Sequence, residues 1–155
     1  MINLTISSRA LAGKILNNPK YKIDFLISIG CPDRNPPSGF HRFPKENKLK
    51  LTFFDYIAEP KEFELIKTQP YPPTTEDINR VITFTRDSIK PAIAANPSVL
   101  IHCEVGISRS TAIAQIVLQE LGLSAESARE KVLEVRAQAI PNEFILALYG
   151  ELINA

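Results

Sequence analysis

The apolar run Val99-Leu100-Ile101 is followed, after one short loop, by the apolar stretch Thr111-Ala112-Ile113-Ala114-Gln115-Ile116-Val117-Leu118. The first run is too short for a typical helix and reads as a buried strand, whereas the second has the length and composition of a helix. A buried strand feeding a helix this directly commits the chain to a sheet with helices packed against it. It also fixes the character of the loop between them, His102-Cys103-Glu104-Val105-Gly106-Ile107-Ser108-Arg109-Ser110. Such a loop opens onto a helix N-terminus, where unpaired backbone N–H groups and the helix dipole both favour an anion.

The side chains sharpen that reading. Cys103 and Arg109 stand at a Cys-x5-Arg spacing. A cysteine attacks as the thiolate, and a helix N-terminus with a nearby cation favours that form. A guanidinium grips two phosphate oxygens at once and stays charged at every working pH. Gly106 permits a backbone conformation or a close approach that a side chain would block. The Ser110 hydroxyl can donate to the cysteine sulfur, and His102 is read as fixing the loop by hydrogen bonds rather than as a base. Glu104, Val105, Gly106, Ile107 and Ser108 supply backbone amides that would bind phosphate together with Arg109. Nucleophile, anion cradle and fork-shaped cation are what cleavage of a phosphate ester requires.

In the form His-Cys-x-x-Gly-x-x-Arg-Ser-Thr, residues His102 to Thr111 resemble the signature of the cysteine-dependent protein tyrosine phosphatase superfamily, in its compact dual-specificity-like branch. The likeness extends more weakly through Leu51 to Pro60, which contains Asp55, and through Arg136 to Asn142 ahead of a last helix. Through Leu51 to Pro60 the chain also resembles small bacterial phosphatases. The resemblance implies a phosphoester hydrolase, free of metal and cofactor, that works through a phosphocysteine on Cys103 with Arg109 binding phosphate. It also implies a general acid on a loop after a strand. Asp55 stands in that place, and Glu59 is the alternative, because the gap to Cys103 is longer here than in compact members. Asp77 and Asp87, in the same gap, read as helix cap and helix surface.

Cys31 follows another strand and has two readings: a small buried residue, or a thiol that captures oxidised Cys103, as in some members of the superfamily. Two further readings of the whole stay open, a sulfurtransferase or arsenate-reductase type of cysteine enzyme and a phosphoprotein-binding module on the same scaffold. The Arg109-Ser110-Thr111 continuation and Asp55 speak against the first, and intact Cys103 and Arg109 against the second. The variable loop positions hold no lysine, which disfavours a polyphosphoinositide. A phosphorylated protein or peptide is favoured over a small phosphoester.

The rest of the chain predicts the scaffold. Residues 2–6 alternate as a short edge strand, and Ser7 or Ser8 caps a helix to about Asn17 with Leu11 and Ile15 on one face. Residues 24–30 and 49–54 read as strands, separated by a proline-rich, basic loop that is either a wall of the cleft or a solvated surface. Thr74 caps a helix to about Lys90, Ser124 another to about Gln138, and Pro141 falls in the first turn of a third. The expected fold is α/β: residues 1–155 as a single domain, a four- or five-stranded, mostly parallel sheet, helices on both faces and a helical C-terminal third. A net charge of +1 gives no electrostatic case for nucleic acid or an anionic membrane. No apolar run has bilayer-spanning length, and two cysteines without a signal-peptide pattern fit a reducing, cytoplasmic compartment; a monomer is expected.

Overall fold

Alternate side chains of a strand face opposite sides of a sheet, so a strand that is apolar throughout must be covered on both. In the computed structural model, which describes residues 1–155, β1 (Asn3–Ser7) is followed by helix α1 (Arg9–Leu16) and strands β2 (Phe25–Gly30) and β3 (Lys48–Thr52). A single turn, α2 (Phe63–Ile66), and helix α3 (Thr75–Phe84) lead to β4 (Ser98–His102). Helices α4 (Arg109–Glu120), α5 (Ala125–Val135) and α6 (Glu143–Ile153) complete the chain. The strands form one four-stranded parallel sheet in the order β1-β4-β2-β3, with apolar β2 and β4 at its centre and β1 at the edge.

The two faces are covered unequally. Phe25, Ile27, Ile29, Val99 and Ile101 enter a large core with residues of α3, α4, α5 and α6. Their neighbours Leu26 and Leu100 point the other way, onto Ala12 and Ile15 of α1 and onto Phe40. Residues Arg109 to Leu118 of α4 are all buried, as expected for a helix enclosed on every side.

Several element ends differ from the sequence pattern, each for a visible reason. Leu11 is 43% exposed, and the buried seam of α1 runs through Ala12, Gly13 and Ile15 instead. The loop before β3 crosses α1 there, so a Cβ on Gly13 would meet the Ser38 backbone nitrogen at 3.4 Å. Beyond α3 the chain continues as a π turn (Thr85–Ile89) and a 3₁₀ segment (Lys90–Ala95), since Pro91 has no N–H to extend an α-helical ladder. α5 ends at Val135 because Arg136 turns into extended backbone, and α6 begins at Glu143 with Asn142, rather than Pro141, at its threshold. No helix is long and apolar enough to cross a membrane.

In a parallel sheet all the carboxyl ends lie together, and that end is where ligands bind. Here it gathers Ser7, Cys31, Phe53 and Cys103, each at or just after the end of its strand.

Candidate active site

The loop between β4 and α4 is held open from outside. His102 Nδ1 donates to the Cys103 carbonyl at 3.1 Å, and the Arg9 N–H donates to that of Glu104 at 3.1 Å. Arg136 reaches the carbonyls of Val105 and Gly106 at 3.1 and 3.0 Å. The N–H groups of Ile140 and Asn142 take those of Ile107 and Ser108 at 2.9 and 3.1 Å. Successive carbonyls from Cys103 to Ser108 thus face outward. Since C=O and N–H of one peptide unit point oppositely, the amides of residues 104–109 turn to the concave side, forming a nest for an anion. Gly106 makes this possible: its φ is +75°, and a Cβ there would lie 2.6 Å from the Ser7 carbonyl carbon.

Cys103 is buried at the floor of the nest. Its sulfur accepts from the Gly106 N–H at 3.2 Å and contacts Ser110 Oγ at 3.1 Å. Burial depresses the pKa of His102 below its ordinary value and keeps the ring neutral. With Nδ1–H given to the Cys103 carbonyl, Nε2 is the acceptor for the Ser28 hydroxyl at 2.7 Å. The histidine therefore ties the loop to β2.

Arg109 is buried too. Its Nη1 donates to the Phe53 carbonyl at 2.8 Å and to Cys31 Sγ at 3.2 Å, while Nε has no hydrogen-bond partner in the protein. One edge of the guanidinium is anchored to the strand ends and the other is left unpaired. Cys31 and Cys103 are both free thiols. Of the cations in the loop before β3, Arg34 reaches the site: Glu104 pairs with it at 3.8 Å and with Arg9 at 3.2 Å. Arg42 instead bonds the Asn17 side chain, and Lys48, the first residue of β3, sits 4.2 Å above the Phe40 ring. His41 is an exposed residue packed edge-on to Phe40.

Asp55 is brought to the loop. Its Oδ1 accepts from Ser108 Oγ at 2.8 Å and from Asn142 Nδ2 at 2.8 Å. Ser108 stands at the N-cap position of α4, yet its hydroxyl goes to Asp55, so no side chain caps the helix. The first amides of α4 stay free for an anion. Glu59 makes no such contact; it is exposed, caps the turn Pro60–Glu62 and pairs with Lys61 at 3.4 Å. Asp77 forms the capping box of α3 with Thr74, and Asp87 is exposed.

Asn142, Arg136 and Ser28 lie outside the candidates drawn from sequence. Buried Asn142 bridges Asp55 to the Tyr56 carbonyl at 3.0 Å and caps α6 by accepting from the Ile145 N–H at 3.0 Å. The Pro141-Asn142-Glu143 run before an apolar helical stretch was the available signal, since asparagine is a preferred cap.

A buried cysteine in an amide nest, a buried arginine at the start of α4 and an aspartate on the segment after β3 meet at the carboxyl end of this parallel α/β scaffold, and Cys103 and Arg109 fit a Cys-x5-Arg motif. The sequence model for "Dual specificity phosphatase, catalytic domain" matches residues 16–151, and the chain belongs to that family. Its fold is similar to that of human DUSP28 at 20% identity and a TM-score of 0.66, covering 97% of this chain and 93% of that one. It is also similar to human tyrosine phosphatase-like serine/threonine/tyrosine-interacting protein, at 21% identity, a TM-score of 0.62 and coverages of 99% and 94%. A third neighbour is PTPMT1 solved in complex with PI(5)P, at 16% identity, a TM-score of 0.61 and coverages of 98% and 93%. At these identities the likeness is one of fold. No curated protein sequence matches the chain.

Proposed function

We propose that this chain, acting as a single unit, hydrolyses phosphate monoesters on proteins through a phosphocysteine at Cys103. The observation that carries the reading is the outward pairing of every carbonyl from Cys103 to Ser108, which leaves inward amides above the sulfur. Thiolate Cys103 attacks phosphorus in line, forming the S–P bond as the ester P–O bond breaks. The amides of 104–109 and the unpaired edge of Arg109 hold the non-bridging oxygens, so the protein contributes position and charge complementarity. Asp55 protonates the leaving oxygen. Its Oδ1 accepts two hydrogen bonds, so the transferable proton belongs on Oδ2. The carboxylate then takes a proton from water as that water attacks phosphorus and the sulfur leaves, its charge stabilised by the Ser110 hydroxyl and the Gly106 N–H.

Contact with Ser108 supports Asp55 as the acid over Glu59. A phosphoprotein is favoured over a phosphoinositide such as the ligand in the PTPMT1 structure. Glu104, the loop residue beside the nucleophile, already pairs with both Arg9 and Arg34 and offsets part of their charge. Hydrolysis of p-nitrophenyl phosphate without metal tests the reading. Cys103→Ser is expected to abolish turnover, and Asp55→Ala to lower it by about 10²–10⁴-fold. Turnover that survives Cys103→Ser overturns the mechanism.

A further inference from the structure

A cleft of about 510 Å³ adjoins the phosphate loop. Ile107 and Ser108 form its inner wall, Ile57 comes from the segment after Asp55, and Ile140 from the turn before α6. Ile57 and Ile140 are 84% and 72% exposed, more than any other large apolar side chain in the chain. Single exposed aliphatics are ordinary, but a pair lining one cleft at the catalytic loop marks a binding surface.

The cleft is preformed. Ile140 is fixed by the bond from its N–H to the Ile107 carbonyl at 2.9 Å. The Tyr56 carbonyl, beside Ile57, is held by Asn142 at 3.0 Å. Little ordering is needed on binding, which conserves affinity. Glu59, Glu62 and Glu143 also line it, and Lys61 offsets Glu59 alone among them. The cleft therefore offers aliphatic contact together with negative charge.

We propose that this cleft seats the residues flanking the phosphorylated residue of a protein substrate, selecting a large aliphatic neighbour with lysine or arginine beside it. The proposal rests on the phosphatase reading and names its substrate class. It is tested with phosphotyrosyl and phosphothreonyl peptides on one scaffold, flanked by Leu and Arg, by Gly and Ser, or by Glu and Asp. Each kcat/KM is expressed as a ratio to that for p-nitrophenyl phosphate. The Leu/Arg set is expected to exceed the Glu/Asp set by about tenfold or more, and the difference should shrink as salt is raised. Glu62→Lys combined with Glu143→Lys should remove the preference for basic flanks, and Ile140→Ser the preference for leucine. Equal ratios across the three sets overturn the proposal, as does faster hydrolysis of phosphoinositide vesicles than of any peptide. Failure to turn over p-nitrophenyl phosphate overturns the phosphatase reading instead. Flank selectivity is then measured by calorimetric binding of the same peptides, where equal affinities overturn the cleft assignment.

Discussion

Ser108 sits where a helix cap belongs but spends its hydroxyl on Asp55, and in doing so leaves the helix N-terminus open to an anion. The same priority of site over local stability governs Gly106. Gly106→Ala forces a methyl group toward the Ser7 backbone at a positive φ, so the loop or the end of β1 must shift. About 1–3 kcal/mol of stability is expected to be lost in urea titrations. Turnover should fall at urea concentrations where the variant is still folded; full activity there would remove Gly106 from the cradle. His102 gives a pH signature. Burial holds its pKa below 6.5 in the folded protein, so as pH falls below 6.5 the unfolded chain gains a proton that the folded one does not. Its contribution is whole above pH 6.5 and declines on acidification. Thermal melts should therefore show the parent losing more stability than His102→Gln between neutral and mildly acidic pH. Parallel curves would contradict a neutral, buried ring.

At the scale of elements, Asn142 links α6, the Asp55 segment and the phosphate loop. Asn142→Ala should cost about 1 kcal/mol through the lost cap and also release Asp55. Turnover of phenyl phosphate, whose leaving group needs the proton more, should then fall further than that of p-nitrophenyl phosphate. An equal fall for both esters would assign Asn142 to folding alone. Much of the architecture was legible because its signals are local: apolar runs at 24–30 and 99–101, the Thr74 capping box, and the compact run from Cys103 to Arg109. The ends of α5 and α6 were not. α5 stops where Arg136 leaves the helix to reach the phosphate loop 30 residues away, which no local periodicity records, whereas α6 starts on the local Asn142 cap, a signal that Pro141 beside it obscured. The inward face of α1 was misread for a similar reason, since the loop covering Gly13 comes from beyond β2. Asp55 could be placed at a strand end from sequence, but its bond to Ser108 is a tertiary fact.

At the scale of the whole molecule, one sheet carries two cores, and β2 and β4 contribute alternate residues to each. Damage to the smaller core should therefore propagate. Phe40→Ala is expected to cost about 3–5 kcal/mol and to lower one common transition followed by tyrosine fluorescence and by circular dichroism. A separate early transition would contradict shared cooperativity. The same sheet delivers Ser7 beneath Gly106, Phe53 to Arg109 and Cys103 to the nest, so fold and site are one construction. Acid-quench mass spectrometry of the protein during turnover of p-nitrophenyl phosphate bears most directly on the phosphocysteine mechanism. Phosphate on the peptide containing Cys103, absent in Cys103→Ser, is the predicted result. Phosphate carried by another residue during turnover, or turnover undiminished in Cys103→Ser, would contradict it.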